Sequence, residues 1–231
     1  MKLWVIGSVL LVAGILLLVG TREVPMGRDG PLELDAEEKV YLLDLARRTL
    51  RANLSGVAGP SVDETALSDR LRADAACFVT LTKEGRLRGC ILDSFVPHEA
   101  AYRNVMRNVV LAATGDPRFS PVTLEELDEI TIEISVLGRS YPVQFADSGE
   151  LLSTLRPGID GVILTTSFGS STYLPQVWEQ LRDPAMFLTE LCRKHGAPGD
   201  CWKSDDLLHV ELYQVTHFGE VDGFDSDAHH D

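Results

Sequence analysis

The chain has 231 residues, 45% of them hydrophobic and 24% charged, the balance of an ordinary folded domain with room for one core or two small ones. A formal charge of −14 excludes duplex binding through phosphate neutralisation, and no basic run offers a local exception, so no nucleic-acid partner is expected. Four cysteines, Cys77, Cys90, Cys192 and Cys201, are too few for a disulfide scaffold; an even count permits two bridges and requires none.

In chain order, the first feature is an uncharged apolar run from Leu3 to Gly20, flanked by Lys2 and Arg22. At ~1.5 Å rise per residue it spans roughly 27 Å, about a bilayer core. It is expected to be an uncleaved single-pass membrane anchor, residues 1–20. A cleaved signal peptide is the rival reading, weakened by the length of the run and by Leu18 at the position where a cut after Gly20 wants a small residue. Lys2 on one flank and Arg22 and Arg28 on the other leave the side of the membrane open.

Residues 21–34, with Pro25, Gly27, Gly30 and Pro31, read as a linker to a domain over 35–218. Asp35 and Glu38 have capping-box spacing ahead of a helix to Leu50, with Val40, Leu43 and Leu50 along one face. Ala75–Thr82 and Arg86–Leu92 flank Lys83-Glu84-Gly85 as a hairpin with a three-residue loop, which pairs Thr80 with Arg88 and Phe78 with Cys90. That register sends Cys77 and Cys90 to opposite faces, so no bridge between them is expected. His98–Gly115 has helical apolar spacing and is stopped by Gly115 before Asp116-Pro117. Thr123 caps a short turn, and Ile130, Ile132, Ile134 and Val136 alternate with polar residues as a half-buried strand.

Ser148–Leu155 reads as a short helix and Ile159–Thr166 as a strand, with a Gly169-Ser170-Ser171 turn back to Thr172–Leu174. Pro175 starts one helix and Asp183-Pro184 a second, which runs to about His195 before Gly196. Leu207–Phe218 reads as a final strand, and 219–231 as an acidic disordered tail. Helices among antiparallel hairpins indicate an α+β class. Trp178 and Trp202 are expected in the core.

Two segments carry candidate chemistry. Residues two apart on a strand share a face, so Arg86, Arg88 and Cys90 are expected to project together, and nearby guanidinium charge favours thiolate. Gly89 lets a ligand or another strand approach the backbone closely; a buried structural cysteine beside a bulge is the competing reading. In Asp116-Pro117-Arg118-Phe119-Ser120, the Asp and Arg can hold each other or a polar ligand. Cys192, His195, Cys201 and His209 lack the spacings of a common zinc module, so no metal is expected. Phosphate-loop, dinucleotide, serine-elbow and zincin motifs are missing, and no cofactor is expected.

Leu87-Arg88-Gly89-Cys90-Ile91, a helix, Asp116-Pro117-Arg118-Phe119, and a strand ending Ile134-Ser135-Val136-Leu137 together resemble the AMMECR family. So does Leu174-Pro175-Gln176-Val177-Trp178-Glu179-Gln180-Leu181 with Asp183-Pro184, then Phe187-Leu188 and Cys201-Trp202. The likeness covers about residues 36–218. It implies a two-lobed domain, a mostly antiparallel sheet flanked by helices, with Arg88, Gly89 and Cys90 near the inter-lobe cleft. It also implies the company of Memo-like and radical-SAM proteins. Leu92-Asp93 departs from the family, many of whose members have Gly after Cys-Ile.

Two functions compete. In one, an enzyme or enzyme subunit uses Cys90 as nucleophile or ligand, with Arg88, Gly89, Asp116, Arg118 and Gln176 binding substrate. In the other, a non-catalytic ligand-binding or adaptor module recruits a protein partner. No general base stands out; His98 is the histidine nearest Cys90 in sequence.

Overall fold

A computed structural model describes residues 30–204 and 206–220. Its helices are α1 (Ala36–Leu54), α2 (Asp69–Arg72), α3 (Ala101–Thr114), α4 (Ser148–Thr154), α5 (Pro184–Lys194) and α6 (Cys201–Ser204). The strands are β1 (Cys77–Lys83), β2 (Arg86–Ile91), β3 (Ile130–Leu137), β4 (Tyr141–Pro142), β5 (Gly161–Thr166), β6 (Gly169–Tyr173), β7 (His209–Tyr213) and β8 (Val215–Gly219). They form two antiparallel sheets, ordered β2-β1-β3-β8 and β4-β7-β5-β6, flanked by helices. The fold is α+β.

Each sheet has its own core. Leu42, Leu45 and Leu50 of α1 and Val105 and Val109 of α3 pack on Val79 and Leu81 of β1 and Ile132 and Ile134 of β3. Val40 is exposed, so the buried stripe of α1 runs through Leu42, Leu43, Ala46 and Leu50 instead. The second core joins Val162, Leu164, Val210 and Leu212 of the sheet to Leu151, Trp178, Phe187, Leu188 and Leu191. Trp178 stacks on Phe187 with centroids 3.7 Å apart, and Trp202 is buried beside them, so both tryptophans are core residues. A third, smaller cluster of Ala76, Leu137 and Tyr213 joins the layers.

The sheets are also tied by the chain itself. The apolar run Leu207–Phe218, expected to be one strand, is two: β7 belongs to the second sheet and β8 to the first, with Gln214 between them. Gln214 gives its carbonyl to the amide of Gly138, which lies where β3 leaves the first sheet for β4. The Gly169 turn is corrected likewise: Gly169 and Ser170 already pair with Thr166 and Thr165 within the β5–β6 hairpin.

Both expected ends of the domain move outward. Leu34 is buried and the Leu32 carbonyl accepts from Thr216 Oγ1 at 3.1 Å, so the last residues of the expected linker pack on the domain. Gly219 pairs with Glu133, and Glu220 binds Arg47 and the amide of Ile132, so the expected tail begins inside the fold; residues 221–231 lie outside the described ones. The single-pass membrane placement, and with it a transmembrane helix ahead of the domain, is corrected as well. Among the described residues no helix is long and apolar enough to cross a membrane; α1 carries charges along its length. The apolar run Leu3–Gly20 lies outside the described residues.

Cys192 at the end of α5 and Cys201 at the start of α6 form a disulfide, while Cys77 and Cys90 are free thiols. That bond uses both sulfurs of the zinc set considered from sequence.

Candidate functional site

The β1–β2 hairpin turns through two residues rather than three. Glu84 and Gly85 both take left-handed backbone, with φ of 52° and 72°, and Lys83 pairs with Arg86. The register then slips at Leu81/Thr82, so that Thr82 opposes Leu87, Leu81 opposes Gly89 and Thr80 opposes Cys90. Arg88 is the extra residue of this bulge. The expected pairs Thr80–Arg88 and Phe78–Cys90 are therefore corrected, and the simple alternation that put Arg88 and Cys90 on one face no longer applies.

Gly89 faces α3 so closely that a Cβ there would come within 2.0 Å of the Ala112 carbonyl oxygen. The next residue faces the other way. Cys90 shares Thr80's face of the sheet, and Thr80 Oγ1 donates to its sulfur at 3.2 Å. Cys77 lies among the buried residues of the α1/α3 core, on the opposite face.

The segment after α3 grips the Cys90 backbone from both sides. Asp116 is buried, and its Oδ2 accepts the Cys90 amide at 2.9 Å. Arg118 reaches both carboxylate oxygens of Asp116, at 2.9 and 2.6 Å, and donates to the Cys90 carbonyl at 3.3 Å. The guanidinium and the two backbone amides of Cys90 and Arg118 hold the Asp116 carboxyl down at about 2.

Arg88 points elsewhere. Its guanidinium spans Glu126 at 3.1 and 2.9 Å and donates to the carbonyls of Ser120 at 2.8 Å and Pro121 at 3.2 Å. This fastens the hairpin to the loop that follows Asp116-Pro117-Arg118, and it draws the Glu126 carboxyl down to about 2. The cations that act most on the Cys90 sulfur are Arg118 and Lys194, the latter from the last turn of α5. Burial nevertheless outweighs them and the Thr80 hydrogen bond, and pushes the Cys90 thiol above its ordinary value. The resting group is a neutral thiol, not the thiolate that flanking arginines suggest.

Gln176 sits on a short 3-10 turn, Pro175–Glu179, and bridges the two sheets. Its Nε2 donates to Ser135 Oγ at 3.3 Å, and Ser135 Oγ meets His217 Nδ1 at 3.1 Å. Its Oε1 is buried without a partner. Register places this chain beside the thiol: Cys90, Thr80 and Glu133 form one cross-strand row, and Phe78, Ser135 and His217 the next. Both rows lie on the face turned away from α1 and α3. Phe95 closes one side by edge contacts with Phe78 and Tyr213, each at 6.2 Å.

The site residues therefore divide. Cys90, Asp116 and Arg118 come together, Gly89 and Arg88 support the hairpin from behind and beside, and Gln176 stands on the neighbouring row. Lys194, Glu133 and His217 were missed from sequence. The alternation of Thr131, Glu133 and Ser135 gave a polar face without saying which strand it adjoins, and nothing local marks Lys194.

Among the described residues, Asp93, His98 and Glu99 bring possible metal-ligand atoms within 4.8 Å of one another. The Arg107 guanidinium already stands among them, 2.7 Å from Asp93 and 2.6 Å from His98 Nε2, and also bonds Glu99. A positive charge is thus supplied by the chain itself. His98 belongs to this cluster.

Two antiparallel sheets with separate cores, joined over a thiol-bearing face, define an AMMECR-type α+β domain. The AMMECR1 family profile matches residues 43–218, and the chain belongs to that family. A protein of Methanothermobacter thermautotrophicus is 36% identical over 188 residues, covering 81% of this chain and 96% of that protein. One from Methanopyrus kandleri is 35% identical over 197 residues, covering 83% and 93%. The crystal structure of an uncharacterised protein from Pyrococcus horikoshii superposes with a TM-score of 0.74 at 30% identity, covering 81% of this chain and 94% of that one.

Proposed function

We propose that this chain is an enzyme or enzyme subunit whose reacting group is the Cys90 thiol, in the cleft between the two sheets. The observation that carries this reading is the treatment of Cys90. Side chains hold the backbones of both free cysteines, Asp116 at Cys90 and Asn104 and Asn108 at Cys77; the difference is at sulfur, where Cys90 receives a hydroxyl donor and the influence of two cations while Cys77 is fully buried. A structural thiol needs neither. The company of Memo-like and radical-SAM proteins rests on the family likeness alone, and belongs to the same proposal.

Labelling with neutral iodoacetamide under native conditions tests it. Cys90 is expected to react while Cys77 stays protected. Because burial raises the Cys90 pKa, the rate at pH 7 is expected to fall below that of an exposed free cysteine, and to climb as pH rises through and beyond the ordinary thiol range. Labelling of Cys90 only in step with Cys77, on global unfolding, ends the reading.

A non-catalytic binding module is favoured by one feature, the burial that raises the pKa of that thiol. Cys90→Ser separates the two, since it keeps a small hydrogen-bonding group and removes sulfur chemistry. A binding module still complements a strain lacking the gene; a thiol enzyme does not.

A further inference from the structure

On the cleft side of the first sheet the chain holds a serine against an imidazole. Ser135 of β3 and His217 of β8 are cross-strand partners, and Ser135 Oγ lies 3.1 Å from His217 Nδ1. A third group sets the direction of that hydrogen bond. Gln176, from the layer of the second sheet, donates its Nε2 hydrogen to Ser135 Oγ at 3.3 Å, so the serine oxygen is already an acceptor. Its own hydrogen then has one acceptor among the described residues, His217 Nδ1. The chain's other serine–histidine contact runs the opposite way. Ser171 Oγ meets His195 Nδ1 at 2.9 Å but spends its hydrogen on the Leu191 carbonyl at 2.7 Å, so there the imidazole donates. Ser135 is buried while His217 is exposed, which lets the imidazole exchange protons with water. Gln176 Oε1 is buried at the same place without a partner among the described residues, an acceptor open to a bound donor.

We propose that Ser135 is a nucleophile with His217 as its general base, a second reacting centre that goes beyond Cys90 and does not rest on it. A nucleophilic hydroxyl needs a base within about 2.6–3.2 Å, and the imidazole nitrogen lies inside that reach. The substrate class is a carboxylic ester. Ser135 Oγ forms a bond to the carbonyl carbon and its proton passes to His217 Nδ1. The ester C–O bond breaks, its electron pair goes to the leaving oxygen, and that oxygen takes the proton from His217. Water then attacks the acyl carbon and gives a proton to His217. The bond to Ser135 Oγ breaks, the serine oxygen recovers that proton, and the acid leaves.

A fluorophosphonate tests the pair on the full chain. Ser135 Oγ forms a bond to phosphorus, the P–F bond breaks, fluoride leaves with the electron pair, and the hydroxyl proton passes through His217 to solvent. Mass spectrometry with peptide mapping is expected to find the phosphonyl group on Ser135, in the parent and equally in Cys90→Ser. His217→Gln keeps a hydrogen-bonding side chain opposite Ser135 and removes the base. Its labelling rate is expected to fall at least ~100-fold, the low end of general-base catalysis, with the urea midpoint of the parent retained. Full phosphonylation is also expected to abolish hydrolysis of p-nitrophenyl acetate. A parent chain that is folded yet unlabelled at Ser135, or labelling as fast in His217→Gln as in the parent, overturns the pair. Absence of ester hydrolysis, or hydrolysis that survives phosphonylation, overturns the ester as substrate. Cys90 is read separately by iodoacetamide, so either reading can fail without the other.

Discussion

Gly89→Ala is expected to cost the domain about 3 kcal/mol or more, at or beyond the upper end of ordinary overpacking. The reason is what the new methyl would meet. A Cβ at residue 89 falls 2.0 Å from the Ala112 carbonyl oxygen and 3.0 Å from its carbonyl carbon, and both are backbone of α3. A side chain in the way could rotate; a helix backbone packed on β1 and β2 has to translate. The shift would also lift Cys90 away from Asp116, so labelling of Cys90 should change along with stability. Gly59→Ala is the control, since its Cβ meets nothing within 4 Å and its backbone is ordinary, so it should stay within about 0.5 kcal/mol of the parent. Urea denaturation of the two variants decides the matter. Equal midpoints would mean that the hairpin does not approach α3 as described.

The same residue shows what the sequence could convey. A glycine between Arg88 and Cys90 signals a close approach to backbone, but the approaching element is α3, more than twenty residues on, and no local pattern identifies it. α3 itself was legible from its apolar spacing through Val105, Val109 and Ala112. Its start was not, because His98 and Glu99 are spent on Arg107 rather than on the helix. The hairpin register was missed for an energetic reason. Glu84 accepts a left-handed conformation that a three-residue loop would have reserved for Gly85, and the bulge at Arg88 then absorbs the mismatch. The final strand looks continuous because β7 and β8 are each half-buried with the same residue types; only sheet membership divides them.

The electrostatics of the site were read half correctly. Arginine beside cysteine suggests thiolate, yet Arg88 finds Glu126 and the cations that matter come from Arg118 and Lys194. Lys194 is over a hundred residues from Cys90 along the chain. The Cys192–Cys201 pair belongs to the same class of feature, because two short helices must fold together before those sulfurs meet. What sequence supplied was the set of residues able to do chemistry. Which of them touch depends on the way the second sheet docks over the first.

Asp116→Asn should remove about 2–3 kcal/mol of stability near neutral pH, and part of the acid sensitivity of the cleft with it. Asp116 is buried and accepts from two backbone amides and from the Arg118 guanidinium. An amide keeps one acceptor and turns the other oxygen into a donor facing a donor. Arg118, half exposed, is rehydrated, which keeps the cost below that of stranding a fully buried charge. The pH profile follows from the same contacts. The folded Asp116 pKa lies at about 2, below an unfolded value near 3.9, so its contribution is present above the unfolded pKa and is lost as pH falls through about 4 toward 2. Glu126, also held at about 2 by Arg88, is lost across the same window. The parent should therefore weaken steeply between about pH 4.5 and 2, and Asp116→Asn less so, with Glu126 and the other carboxylates that their partners hold down, Glu38 and Asp93 among them, carrying the rest. Denaturant midpoints taken across that range supply the test. Parallel pH profiles for parent and variant would mean that the Asp116 carboxylate does not hold the Cys90 segment, and the clamp that positions the thiol would have to be sought elsewhere.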